Sequence, residues 1–367
     1  MPPRPIRSSP RRHRYGGFRR GLRTSAATAA AVALLTTFVS AAQADEVIDT
    51  IPTTAGPTGM AITPDGTRVY VSHWSTKTVS VVDAETNAVE STFADPGAFA
   101  MAISPDGTEL YVTNFRDASV AVYTVPGNEL ITTIGVGDFP AGAAFSPDGS
   151  EVYVTNGDDN TVSIIDAAER TVQGTVEVGS DPESVVFASD GSAAYVSDYS
   201  GGTVSVIDTT TREVEAIDVG DGPWGIALTR DGAHAYVANY VSRSISVIDT
   251  SGRSTTTIVV DTNPWDVALT PDGSRVYVTG QSTDSVLVID TATKEVVETI
   301  DVGGDPYAVM ISPDGRYAYV SDSTSSSVSV IAIDQPAEPD PEPGPGDEGS
   351  SVPLLPFASV EMSLSAS

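Results

Sequence analysis

The stretch SPDGTELYVTN, Ser104 to Asn114, returns as SPDGSEVYVTN, Ser146 to Asn156, with only two mild changes. Self-similarity of this kind decides the fold before any local motif does. The Asp-Gly pair inside it recurs with its glycine at Gly66, Gly107, Gly149, Gly191, Gly232, Gly273 and Gly315, so the chain carries seven copies at spacings of 41 or 42 residues. Each copy reads as four short β-branched or aromatic runs bounded by Gly, Asp, Asn and Pro; in successive order they resemble WGIALT, YVTN, VSVID and VVETI. Four strands per repeat of this length is the signature of a propeller blade. The expected fold is therefore all-β, a seven-bladed β-propeller of four-stranded antiparallel blades.

Local chemistry agrees with that reading. Proline, aspartate and glycine supply a fixed φ, a side chain that bonds its own backbone, and a residue free to take positive φ, which a tight hairpin needs. The aspartates of these turns are turn formers before they are ligands. Blades 4 and 5 put Ser189 and Arg230 in place of the proline. In the strand before each turn, small residues (Gly59/Ala61, Ala100/Ala102, Gly142/Ala144, Gly225/Ala227) alternate with large ones (Met60/Ile62, Met101/Ile103, Ile226/Leu228), as suits an innermost strand crowded at the axis. Glu46 to Ile51, EVIDTI, aligns with the outermost strand EVVETI, Glu295 to Ile300, and the last copy stops after its third strand. The N-terminal strand is thus expected to complete the last blade, with Val47 and Ile51 buried, hiding the edge an open array would expose.

From these residues the chain is similar to the YVTN family of β-propeller repeats, known from surface-layer and other exported microbial proteins. The resemblance covers about Asp45 to Asp334 and rests on YVSH (Tyr70), YVTN (Tyr111, Tyr153), YVSD (Tyr195, Tyr319), YVAN (Tyr236) and YVTG (Tyr277), each after an Asp-Gly turn. It implies an exported binding or structural module that recognises a partner protein or glycan at the cell surface on its loop-rich face. Seven-bladed relatives also include lactonases, lyases and cofactor-dependent oxidoreductases, which makes an enzyme of that type the alternative.

The termini differ in kind. Residues 1–44 hold eight arginines and no acid, then the run TSAATAAAVALLTTFV and a small-residue site ending at Ala44, which reads as a secretory signal peptide. FRRGLR, Phe18 to Arg23, resembles a twin-arginine export signal. Residues 45–334 form the propeller, 335–350 a Pro/acidic spacer and 351–367 a short tail too brief for a membrane span or a domain. After Ala44 the chain keeps 11 bases against all 49 acids, a formal −38, which disfavours nucleic acid and anionic lipid and suits a soluble, monomeric, secreted or surface propeller. There is no cysteine, which removes disulfides and thiolate chemistry.

Catalytic signatures are absent from this pattern, and no cofactor is expected. His73 and His234 fall on opposite rims and read as surface residues. Loop acids Asp95, Asp138, Asp181, Asp221 and Asp305 ring one mouth; a Ca²⁺ there is conceivable chemistry, but they read first as a solvated rim without a liganding series. Just after the proline position come Thr58, Phe99, Ala141, Glu183, Trp224, Trp265 and Tyr307. The large rings Trp224, Trp265, Tyr307 and Phe99, with Trp74 in a loop on the same rim, are the candidate binding residues, since aromatic platforms stack on sugars. Period-2 parity nevertheless assigns Trp224 and Trp265 to the packing between blades. Asp266 completes the candidate set, because it puts a charge where other blades have Gly, Ala or Ser.

Overall fold

The structure, a computed structural model, describes residues 44–334. Apart from Ala44, the expected signal segment with its twin-arginine pattern, the spacer and the tail lie outside the described residues. Seven antiparallel sheets of four strands follow one another around a ring. Blade 1 runs from Pro57–Ile62 through Arg68–His73 and Thr78–Asp83 to Ala88–Ala94, and blades 2 to 6 repeat that order. Blade 7 has Pro306–Ile311, Tyr317–Asp322 and Ser327–Ala332 from the C-terminal end, and takes its fourth strand, Glu46–Pro52, from the N-terminal end. The expected closure is therefore present, with Ile51 opposite Val328. Ile51 is buried, whereas Val47 is only half-buried, because a bulge between Val47 and Asp49 interrupts the alternation.

The core is not one central mass. Seven apolar layers are sandwiched between neighbouring blades, and each draws its residues from two of them. The seam between blades 1 and 2 combines Tyr70, Val79 and Val81 with Leu110, Val112 and Ala121. The seam that closes the ring combines Tyr319, Val328 and Ile51 with Met60, Val69 and Val71. The tyrosine of each YVTN-like segment is the large residue driven into a seam, which is why Tyr70, Tyr111, Tyr153, Tyr236, Tyr277 and Tyr319 are among the most completely buried side chains. One blade alone leaves its layer open to water, so the ring is the folding unit.

The rest of the motif can be assigned atom by atom. The third residue is a hydroxyl that relays between blades: Thr155 accepts from Gly142 N at 2.7 Å in its own innermost strand and donates to the Glu183 carbonyl of the next blade at 2.9 Å. Ser72, Thr113, Ser197, Thr279 and Ser321 repeat this relay at their own seams. Blade 5 has Ala238 there, so the seam between blades 5 and 6 lacks the hydroxyl. The fourth residue is buried, and in blades 3, 4, 5 and 7 its side chain pins the start of the third strand. Asn156 Nδ2 donates to Thr161 Oγ1 and Ser163 Oγ at 3.0 and 2.9 Å, and Asp198 accepts from Thr203 and Ser205, both at 2.8 Å. In blade 1 that residue is His73, which corrects its expected surface position: it is fully buried with Nε2 2.9 Å from Ser80 Oγ.

On the opposite rim each turn aspartate collects local donors. Asp106 accepts from Ser104 Oγ at 2.6 Å, Thr108 N at 3.1 Å and Thr108 Oγ1 at 2.8 Å. These bonds hold its carboxyl below the usual range, as expected of a turn former. The turn proline has a second use. Pro105 lies 3.4 Å from where a Cβ on Gly149 would stand, and Pro64 is at the same distance from that of Gly107, so successive turns pack proline to glycine. Where Ser189 and Arg230 replace the proline, Gly232 and Gly273 face open space.

Candidate functional site

Each innermost strand shifts register between its first residue and the third that follows, as between Pro223 and Ile226 or Pro264 and Val267. The two residues in the bulge are released from strand alternation. This modifies the parity assignment of Trp224 and Trp265, which pack between blades as expected but are not confined there. Both are half-buried and stand at the mouth of the axial cavity. They still pack on each other, with ring centroids 3.8 Å apart across the seam that lacks the hydroxyl relay.

The cavity occupies about 190 Å³ and is lined by the bulge residues of the seven innermost strands. It brings together five of the six expected site residues: Phe99, Trp224, Trp265, Asp266 and Tyr307. Trp74 is not among them. It is half-exposed further out, in a groove with Pro96, Phe115 and Arg116, where the Arg116 guanidinium lies 5.7 Å from its ring. The aromatics fall into two arcs. Trp74, Phe99, Phe115 and Phe139 make one. Tyr199, Trp224, Trp265, Tyr240 and Tyr307 make the other, with Tyr199 edge-on to Trp224 at 5.3 Å, Tyr240 edge-on to Trp265 at 5.4 Å and Tyr307 at 4.7 Å from Trp265.

Asp266 points across a seam. Its Oδ1 accepts from Val267 N at 2.9 Å and its Oδ2 from Val309 N of blade 7 at 3.1 Å. Gly225 of blade 5 lies against it: a Cβ there would meet Asp266 Oδ1 at 2.5 Å. Its position deep in the channel wall pushes its carboxyl up to about 6, despite the two backbone donors that pull the other way. The Asp266 carboxylate therefore joins two blades.

Sequence reasoning passed over Glu183. It lines the same cavity, is 7% exposed, and its carboxyl finds no hydrogen-bond partner among the described residues. Burial, with the neighbouring Asp181 charge added, pushes it up to about 9. The signal was available, since Glu183 is the one charged residue in the series Thr58, Phe99, Ala141, Glu183, Trp224, Trp265, Tyr307.

The remaining loop acids do not form one ring. Asp95 is buried and structural, accepting from Tyr123 OH at 2.7 Å and Gly97 N at 3.1 Å. Asp181 takes Ser200 Oγ at 2.9 Å, and Asp305 sits beside Asp284, which raises its carboxyl after burial does. Among the described residues no three acids or histidines converge as metal ligands would, and no helix is long and apolar enough to cross a membrane. Loops following the YVTN-like segments bond to those before the innermost strands, as Tyr199 N to Asp181 O and Tyr240 N to Gly222 O, both at 2.8 Å. Both loop sets thus share the mouth that holds the cavity, opposite the Asp-Gly turns.

A family model described as "Lactonase, 7-bladed beta-propeller" matches residues 50–173 and 209–338. No curated protein matches the chain. Among solved structures, 1641 chains match, so likeness at this level identifies an architecture and discriminates poorly among activities. One of them, Kuenenia stuttgartiensis hydrazine synthase, is 24% identical with a TM-score of 0.71, covering 77% of this chain and 97% of its own, a likeness of fold alone.

Proposed function

Because the chain belongs to the seven-bladed β-propeller lactonase family, we propose that it is a propeller of the YVTN type, exported and acting singly, whose loop-rich mouth binds a small ring-bearing group presented by a glycan or partner protein. One observation carries this reading. Five aromatic side chains from blades 4 to 7 make a continuous arc at the mouth, three of them lining a cavity that also holds two carboxyl groups. A rigid aromatic wall stacks on the face of a sugar ring at small entropic cost, while the acids inside select orientation. The Asp-Gly rim offers little to recognise, its turns being short and nearly alike in every blade. Calorimetric titration with a panel of neutral mono- and disaccharides tests the reading. Saturable binding that Trp224→Ala abolishes supports it; binding that Trp224→Ala and Trp265→Ala leave intact contradicts it.

A second reading is favoured by the family match and by the two acids. Asp266, pushed up to about 6, is ionised at pH 7.5 and can take a proton from water; Glu183, pushed up to about 9, is protonated and can give one. Such a pair can serve lactone hydrolysis: water oxygen bonds to the acyl carbon as its proton passes to Asp266, and the ring C–O bond breaks as Glu183 protonates the departing oxygen. A lactone-hydrolysis screen of the chain beside Asp266→Asn and Glu183→Gln decides it. Turnover lost in both variants favours the enzyme, and no turnover above buffer favours the binding module.

A further inference from the structure

The wall of the axial cavity is chemically lopsided. From blade 4 round to blade 7 it presents Glu183, Trp224, Trp265, Asp266 and Tyr307, whereas blades 1 to 3 contribute neutral groups. No lysine or arginine lines it. The outer rim of the same sector adds Asp181 beside Glu183 and Asp305 beside Tyr307.

The two acids inside are in different states of satisfaction. Asp266 already holds two backbone N–H donors. Glu183 is more than nine-tenths buried and lines the cavity, yet no side chain or backbone donor among the described residues reaches its carboxyl; even Thr155 next to it gives its hydroxyl to the Glu183 carbonyl. With no donor among the described residues, a partner for this carboxyl can come from the cavity that it lines. We propose that the mouth selects a small organic cation, a protonated or methylated amine whose nitrogen faces Glu183 and Asp266 while its flank stacks on the Trp224–Trp265 pair.

Three observations converge on that class. Indole faces attract cations, and more strongly where water is excluded. The absence of lining bases and the density of acids disfavour an anion. Burial favours the protonated form of Glu183, and a cation alongside offsets that penalty as a neutral ligand does not. The inference rests on the mouth being the binding site and narrows its ligand.

Trp74→Phe leaves Trp224 and Trp265 as the only tryptophans, so their fluorescence reads the cavity alone. That variant is titrated with D-glucosamine, N-acetyl-D-glucosamine and choline at pH 7. Saturable quenching by the two amine-bearing probes is expected, with the acetylated sugar at least tenfold weaker. Adding Glu183→Gln, a neutral isostere of the protonated acid, is expected to weaken the cations about tenfold or more and leave the acetylated sugar unchanged. Equal binding of both sugars, or cation binding indifferent to Glu183→Gln, overturns the cation assignment while the mouth remains a binding site. Absence of quenching by either cation also overturns it, and the neutral-saccharide titration then judges the mouth separately.

Discussion

Asp45→Ala should loosen the whole ring, although residue 45 lies at the very start of the propeller. The Asp45 side chain is completely buried at the closure of blade 7 on blade 6. Its two oxygens lie 3.0 and 3.1 Å from Arg275 Nη1, it accepts from Tyr277 OH, and Oδ1 accepts from Asp334 N at 2.7 Å. One carboxylate thus joins the first and last described residues of the propeller to the Tyr277 that fills the seam between blades 6 and 7. Breaking a buried ion pair from one side costs about 3 to 5 kcal/mol. Arg275 is a quarter exposed and can recover some water, but Tyr277 is not, and an orphaned buried hydroxyl adds about 1 to 3 kcal/mol. The expected loss is about 3 to 5 kcal/mol. Asp45→Asn, which keeps an acceptor and loses only charge, should cost about half as much. Urea unfolding followed by tryptophan fluorescence, with midpoints compared at equal slope, measures both. An Asp45→Ala midpoint within about 0.5 kcal/mol of the parent, or an Asp45→Asn loss as large as that of Ala, would refute the closure mechanism.

Three further outcomes follow from the same geometry. Ala238→Ser supplies the missing relay hydroxyl between blades 5 and 6 and should stabilise by about 0.5 to 1.5 kcal/mol in urea; a destabilised variant would show that this seam has no room for the relay. His73 is held neutral by burial down to about 4, whereas the unfolded chain protonates it near 6.5, so the unfolded state binds the extra proton between those values and stability is lost as pH falls through that window. His73→Asn, matching Asn114 and Asn156, should remove up to about 2 kcal/mol of the drop between pH 7 and 5, and an unchanged pH profile would contradict the buried neutral ring. Glu183 runs the other way. Its folded value of about 9 exceeds the unfolded value near 4.5, so the native state binds the extra proton between them and stability falls as pH rises. The advantage of Glu183→Gln over the parent should therefore grow from pH 5 to 8 by up to about 1.4 kcal/mol per unit, and a constant difference would place that carboxyl in water.

Architecture was legible because it repeats: seven Asp-Gly turns and seven tyrosines state the blade count, and the partial last repeat states the closure. What escaped was whatever breaks the period or reaches across it. The bulge after Pro223 and Pro264 leaves no mark in composition, yet it lets Trp224 and Trp265 face the cavity as well as a seam. His73 looked like a loop residue on its own; aligned with Asn114, Asn156 and Asp198, it occupies the buried fourth position of the motif. Asp95 looked like a rim acid, but the Tyr123 hydroxyl that claims it belongs to a strand 28 residues away. Asp266 and Glu183 were both visible as charges in otherwise neutral columns, and only the former was singled out. Asp45 could not be read at all, since Arg275 and Tyr277 are more than 200 positions distant in sequence.

The central claim is that recognition takes place in the axial mouth and not on the Asp-Gly rim. A crystal structure of the chain with the tightest-binding probe from the titrations tests it most directly. The account predicts ligand density inside the cavity, stacked on Trp224 and Trp265 and within hydrogen-bond reach of Glu183. Density against the Asp-Gly turns, or along the outer strands of the blades, would contradict it.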